Sequence, residues 1–171
     1  YVLADLFSSL APTLSAGLRE VYYPPVALVH TLWKREQIKH PLDGFGALHN
    51  AIEPSNTLGT IFSASVFPDR NPAGTVLLTS FVGGARDPKG AVAGEGAVLE
   101  GVQEDMRNFL GAEGQPVWGE VALYEKAIPQ YRPGIQKLWA EAKEWEARGI
   151  YFGGNWIGGI SVPNCLDNAQ L

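Results

Sequence analysis

The chain has a single cysteine, Cys165, among its 171 residues. No disulfide can form within it, which excludes the stapled secreted scaffolds and suits a reducing compartment. Positive charge is scarce: 13 Lys and Arg stand against 18 Asp and Glu, for a net charge of -5. Nucleic-acid binding needs a basic face, so no nucleic-acid partner is expected. No apolar run approaches the roughly 18 to 20 residues that span a bilayer, and the first residues lack a signal-peptide pattern. His30, His40 and His49 are scattered without metal-ligand spacing, so no metal site is expected; His49 reads as a surface residue. The G-x-G-x-x-G dinucleotide fingerprint is also missing. No constellation of residues performs acid-base or nucleophilic chemistry by itself, and Cys165 has no His or Asp partner in sequence.

What is present is one domain's length of chain. It is 46% hydrophobic, enough for a packed core. Proline and glycine punctuate it. Pro12 to Glu20 reads as a short helix, stopped at Tyr22-Tyr23-Pro24-Pro25. Val26 to Trp33 is apolar and partly β-branched and predicts a strand. Pro41 to Gly44 is a turn, Phe45 to His49 a short strand and Asn50 to Asn56 a loop. Leu58 to Val66 alternates as a strand should. The turn-rich Phe67 to Gly74 joins it to a strand over Val76 to Val82, so these two strands are expected as antiparallel neighbours. Gly90 to Gly96 is small and loose. From Ala97, the apolar residues Val98, Leu99, Val102, Met106, Phe109 and Leu110 recur at helical spacing, up to Gly111 and Gly114.

Val117 to Tyr124 predicts a strand and Ala127 to Tyr131 an extended link. Ile135 to Arg148 predicts a helix with Gly149 at its C-cap, and Ile150 to Phe152 a last short strand. This order gives an α+β body: a mixed, mostly antiparallel sheet with flanking helices, ending in a strand, a glycine loop and a helix start. Tyr1 is not a Met, and the last helix stops at Leu171 about two turns after it opens. Both ends therefore suggest a piece of a longer chain.

The densest feature is YFGGNWIGGISVPNC, residues 151–165, with glycine pairs at 153/154 and 158/159. A strand that runs through glycines into a helix start lets backbone approach a ligand closely. The helix N-terminus presents unpaired N–H groups and a partial positive charge. Pro163 suits a first helical turn. By geometry alone, a tight surface turn fits equally well.

Several stretches together resemble the C-terminal part of FAD-dependent protoporphyrinogen oxidase, in the wider flavin amine-oxidase group. They are VYYPPVALV (21–29), PLDGFGALH (41–49), TLGTIFSASVFPDRNPAG (57–74), LLTSFVGGARDP (77–88), AIPQY (127–131) and GGNWIGGISVPNC (153–165), in the family's order. One departure is Tyr124-Glu125-Lys126, where the family commonly has a Trp-Pro pair.

The resemblance implies a role for the glycines: the last stretch returns to the FAD-binding domain. Asn155, Ile160, Ser161 and Val162 match the family's C-terminal FAD-contacting positions, and Leu48 and Phe67 match residues that sandwich the porphyrinogen rings. Residues 1–148 would then be part of a substrate-binding domain and 149–171 a C-terminal FAD-contacting segment. The implied reaction is hydride transfer from protoporphyrinogen IX to flavin, with oxygen as acceptor, in haem or chlorophyll biosynthesis. It would need an N-terminal FAD-binding half, on the same or a partner chain; membrane association would lie in that half. The compartment would be a bacterial cytoplasm or the cytoplasmic face of its membrane, or a plastid. The alternatives are a non-catalytic tetrapyrrole-binding or remnant module lacking the FAD domain, and another flavin amine-oxidase-type enzyme.

Overall fold

The computed structural model describes residues 2–50 and 52–169. Along the chain run α1 (Val2–Leu6), α2 (Pro12–Arg19), β1 (Val26–Lys34), β2 (Gly46–Leu48), β3 (Gly59–Ile61), α3 (Ser63–Val66) and β4 (Thr75–Gly83). There follow α4 (Pro88–Ala91), α5 (Glu95–Leu110), β5 (Trp118–Tyr124), α6 (Ile135–Glu144) and α7 (Val162–Asp167). The chain forms two compact units, residues 25–127 and residues 1–24 with 128–171. The division expected from the sequence, 1–148 against 149–171, is one of role; residues 128–171 pack within a single unit across it.

Unit 25–127 is built on a five-stranded sheet of order β2-β3-β4-β1-β5, antiparallel at every described pairing. β1 is central. It pairs with β4 along its whole length, Val26 to Lys34, and with β5 from Val26 to Leu32. Its β-branched, apolar sequence suits a strand hydrogen-bonded on both edges. Alternation sends Ala27, Val29, Thr31 and Trp33 to one face, where all four are fully buried. Val76, Leu78 and Val82 of β4 join them, with Val98, Val102, Met106 and Leu110 of α5 against that face. Full burial of a Leu78 or a Val29 contributes about 1.5 to 3 kcal/mol each.

In this unit, two elements differ from the sequence pattern. The strand expected over Leu58 to Val66 stops at Ile61, and Ser63–Val66 forms a helical turn. Ser-Ala-Ser is a poor strand sequence whose hydroxyls bond locally; Ser65 Oγ donates to the Leu42 carbonyl at 2.6 Å. Phe62 still reaches the core, and β3 and β4 are antiparallel neighbours as expected. The stretch Gly90 to Gly96, read as loose, begins inside α4, whose N-cap Asp87 accepts from the Gly90 amide.

The loop 50–56, with residue 51 outside the described residues, is anchored by a buried acid absent from the sequence reading. Asp105, on α5, accepts from Asn56 N at 3.1 Å, Asn56 Nδ2 at 3.0 Å, and Thr57 N and Oγ1 at 2.8 Å each. Four donors compensate the desolvated carboxylate.

Unit 1–24 with 128–171 packs α2 against α6. Its core joins Leu14, Leu18, Leu138, Ala142 and Trp156. Gly17 permits the approach, since a Cβ there would meet Leu138 Cδ1 at 2.7 Å. The strand expected at Ile150 to Phe152 has no pairing partner among the described residues. Phe152 instead joins an aromatic cluster, its ring centroid 5.2 Å from Phe7 and 6.1 Å from Trp156. α7 opens where expected, with Ser161 as N-cap. Among the described residues, no helix is long and apolar enough to cross a membrane.

Replacing Asp105 by Ala strands the four donors of Asn56 and Thr57. We expect a loss of about 3 kcal/mol in urea unfolding, with the m-value unchanged.

Candidate functional site

The second face of the sheet in unit 25–127 is the first candidate. Cross-strand partners share a face, so register defines its rows. Leu48, Gly59, Phe81, Leu28 and Ala122 form one row across all five strands. Leu77, Leu32 and Trp118 form another. The solvated face of an antiparallel sheet ordinarily carries polar residues. Here it carries Leu28, Leu32, Ile61, Leu77 and Phe81, all half-buried, and none belongs to either hydrophobic core. Two such apolar rows, flanking the row of Ile61, Thr79, His30 and Glu120, mark a place where something binds.

Leu48 is 92% exposed and Phe67 44% exposed. Neither is a core residue. Leu48 folds over Gly59, where a Cβ would lie 2.9 Å from Leu48 Cδ2, so its side chain ends the apolar row. Phe67 follows α3, with the Arg70 guanidinium 4.1 Å above its ring. His49, expected at the surface, is buried instead: its ring centroid lies 4.3 Å from Phe109, and its carbonyl accepts from Arg86 Nη1 at 3.2 Å. The helix α5 supplies that cover, which the short motif around His49 does not reveal.

The glycine stretch, in the other unit, is the second candidate. Three side chains pin its backbone. Tyr131 donates its hydroxyl to the Asn155 carbonyl at 2.8 Å and accepts from the Gly159 amide at 3.2 Å. Trp139 Nε1 donates to the Trp156 carbonyl at 2.8 Å, and Asn168 Nδ2 to that of Ile157 at 2.9 Å. Tyr131 and Trp139 stack edge to face, centroids 5.2 Å apart. Burial raises the Tyr131 pKa, opposed by the Gly159 amide and reinforced by Cys165, so the hydroxyl stays protonated to donate. These pins were missed in the sequence; AIPQY reads only as an extended link.

The loop's turns need its glycines. Gly158 and Gly159 have φ of 71° and 140°, values that L side chains rarely adopt. A Cβ on Gly159 would lie 2.5 Å from Asn164 Cγ, and one on Gly158 would collide with the Asn168 amide. Ser161 caps α7: its Oγ accepts from Asn164 N at 3.2 Å, while Asn164 Oδ1 accepts from Ser161 N at 3.3 Å and Ser161 Oγ at 2.6 Å. Ile160, Ser161 and Val162 are exposed together, Val162 at 74%. Among the described residues, the Ile160 and Val162 amides and the Asn155 side chain have no hydrogen-bond partner. Exposed backbone with free N–H groups fits a ligand edge rich in acceptors. No cluster of His, Cys, Asp or Glu among the described residues could hold a metal, and Cys165 is a free, half-buried thiol.

A family model described as flavin containing amine oxidoreductase matches residues 1–170. The chain belongs to this family. It is 38% identical over 162 residues to the mitochondrial protoporphyrinogen oxidase of Nicotiana tabacum, covering 92% of this chain and 32% of that protein. To the chloroplastic protoporphyrinogen oxidase of the same plant it is 33% identical over 181 residues, covering 99% of this chain and 33% of that protein. The chain thus spans about a third of the length of these flavoprotein relatives. A crystal structure of an Exiguobacterium protein assigned as a protoporphyrinogen oxidase superposes with a TM-score of 0.77 at 20% identity. It covers 98% of this chain and 38% of that one, and it shows the shared fold.

Replacing Tyr131 by Phe removes both hydroxyl contacts, for an expected loss of about 1 kcal/mol. A raised tyrosine pKa stabilises the fold below the unfolded value, near 10, and that contribution fades as pH rises through the folded value. Urea midpoints measured across this range should fall more for the parent chain than for Tyr131→Phe.

Proposed function

We propose that the chain is the C-terminal portion of an FAD-dependent protoporphyrinogen oxidase, converting protoporphyrinogen IX to protoporphyrin IX with oxygen as acceptor. The apolar second face of the sheet carries this reading. A porphyrinogen is a broad, mostly hydrocarbon ring system, and burial against aliphatic and aromatic side chains is its main source of binding energy. The names of the plant relatives supply the reaction. FAD, when bound, supplies the hydride acceptor, so the protein needs no acid-base constellation.

In this reading, Leu48 and Phe67 hold the rings and exclude water from them. Asn155, Ile160, Ser161 and Val162 hold an edge of FAD, Ile160 and Val162 through free backbone amides. Residues 149–171 are the FAD-contacting segment and 1–148 part of the substrate domain. The rest of the FAD site, and any peripheral membrane contact, belong to an N-terminal half. The pathway is haem or chlorophyll formation. The compartment is a bacterial cytoplasm or the cytoplasmic face of its membrane, with a plastid as the alternative; of the two plant relatives, one is named chloroplastic and the other mitochondrial.

Coexpression with an N-terminal FAD-binding half tests this directly. The copurified pair should show the visible flavin band and turn protoporphyrinogen IX into fluorescent porphyrin. A pair that stays colourless yet binds porphyrinogen would refute the oxidase and leave a non-catalytic tetrapyrrole-binding module. A coloured pair that ignores porphyrinogens would point to another flavin amine-oxidase-type activity.

A further inference from the structure

One row on the second face of the sheet is polar where its neighbours are not. Register aligns Gly46, Ile61, Thr79, His30 and Glu120 across the five strands. On one side lies the row that pairs Leu28 with Phe81 and ends at Leu48; on the other, Leu32 is paired with Leu77. Ser63 Oγ lies 2.7 Å from Thr79 Oγ1, which lies 3.0 Å from His30 Nδ1. Ser63 and Thr79 are buried and His30 is half-buried. Such a chain is costly to place among leucines unless it positions something.

Counting protons fixes its direction. If His30 Nδ1 donated to Thr79, Thr79 would either donate to Ser63, leaving the Ser63 proton without an acceptor, or accept from Ser63 as well, leaving its own proton without one. Either way, one buried hydroxyl lacks an acceptor among the described residues, a penalised arrangement. In the opposite order, Ser63 donates to Thr79 and Thr79 donates to His30 Nδ1, and every hydroxyl is satisfied. That order holds the imidazole neutral, with its remaining proton on Nε2. Nε2 has no hydrogen-bond partner among the described residues. Glu120, opposite His30 on β5, is exposed and makes no bond to it.

The geometry points to His30 Nε2 as a hydrogen-bond donor to a carboxylate of the ligand on this face. The rows beside it take the hydrocarbon ring, and a peripheral acid arm of the porphyrinogen ends at His30. The serine and threonine set the tautomer, which makes Thr79 a positioning residue. This assignment rests on the porphyrinogen oxidase reading and adds a specificity determinant to it.

The test compares protoporphyrinogen IX with its dimethyl ester, using the flavin-loaded enzyme that contains this chain. His30→Phe should raise KM for the acid about tenfold, the value of one charge-assisted hydrogen bond, with kcat unchanged. KM for the ester should stay within about twofold, which also reports an intact fold. His30→Gln keeps a donor and should restore most of the affinity for the acid. Thr79→Val, which frees the tautomer, should raise KM for the acid by a smaller factor than His30→Phe. Equal changes for acid and ester, or none for either, would overturn the assignment. A parent enzyme that oxidises no porphyrinogen would refute the underlying oxidase reading instead, so the two failures are distinct.

Discussion

The register of β1 is the constraint on which unit 25–127 depends. A strand paired on both edges gives each residue one of two faces. Trp33, Val29 and Ala27 commit one face to α5. The intervening residues Leu28, His30 and Leu32 must then stand on the other. A slip of one residue would bury His30 beneath the helix and expel Trp33. The long ladder to β4, reinforced on the other edge by β5, makes that slip costly. The second face thus inherits its rows from core packing on the first.

The glycine loop solves a different problem. Its backbone is exposed and its glycines weaken local preference, yet a cofactor edge requires fixed geometry. Side chains outside the loop impose that geometry. Tyr131 ties Asn155 to Gly159 across the turn, and Trp139 holds the intervening Trp156 carbonyl. The loop's own side chains can then point elsewhere: Trp156 is buried in the core, while Ile160 and Val162 are exposed.

Much of this was legible in the sequence, for identifiable reasons. β1, β4 and α5 combine length with strong periodicity, and the α7 cap is spelled out by Ser161 and Pro163. The resemblance motifs marked Leu48, Phe67 and the glycine loop as candidates, but their exposure depends on what lies beside them in space. The turn at Ser63 was hidden because Thr60, Phe62 and Ala64 alternate like strand residues. Long-range polar contacts leave no local pattern at all. Asp105 reads as one more acid on an amphipathic helix, and its partners lie 48 and 49 residues away. His30 and Thr79 are likewise separated by 49 residues.

The asparagines that brace the glycine loop also restrict how its sequence can change. Asn164 and Asn168 fill the space that side chains at residues 159 and 158 would need. A glycine cannot acquire a side chain unless its asparagine first becomes smaller. Shrinking the asparagine first removes a cap from α7 or a bond to the Ile157 carbonyl. Either order passes through a weakened intermediate. Glycine and asparagine should therefore persist or disappear as pairs among homologues, and the two pairs can drift independently of each other.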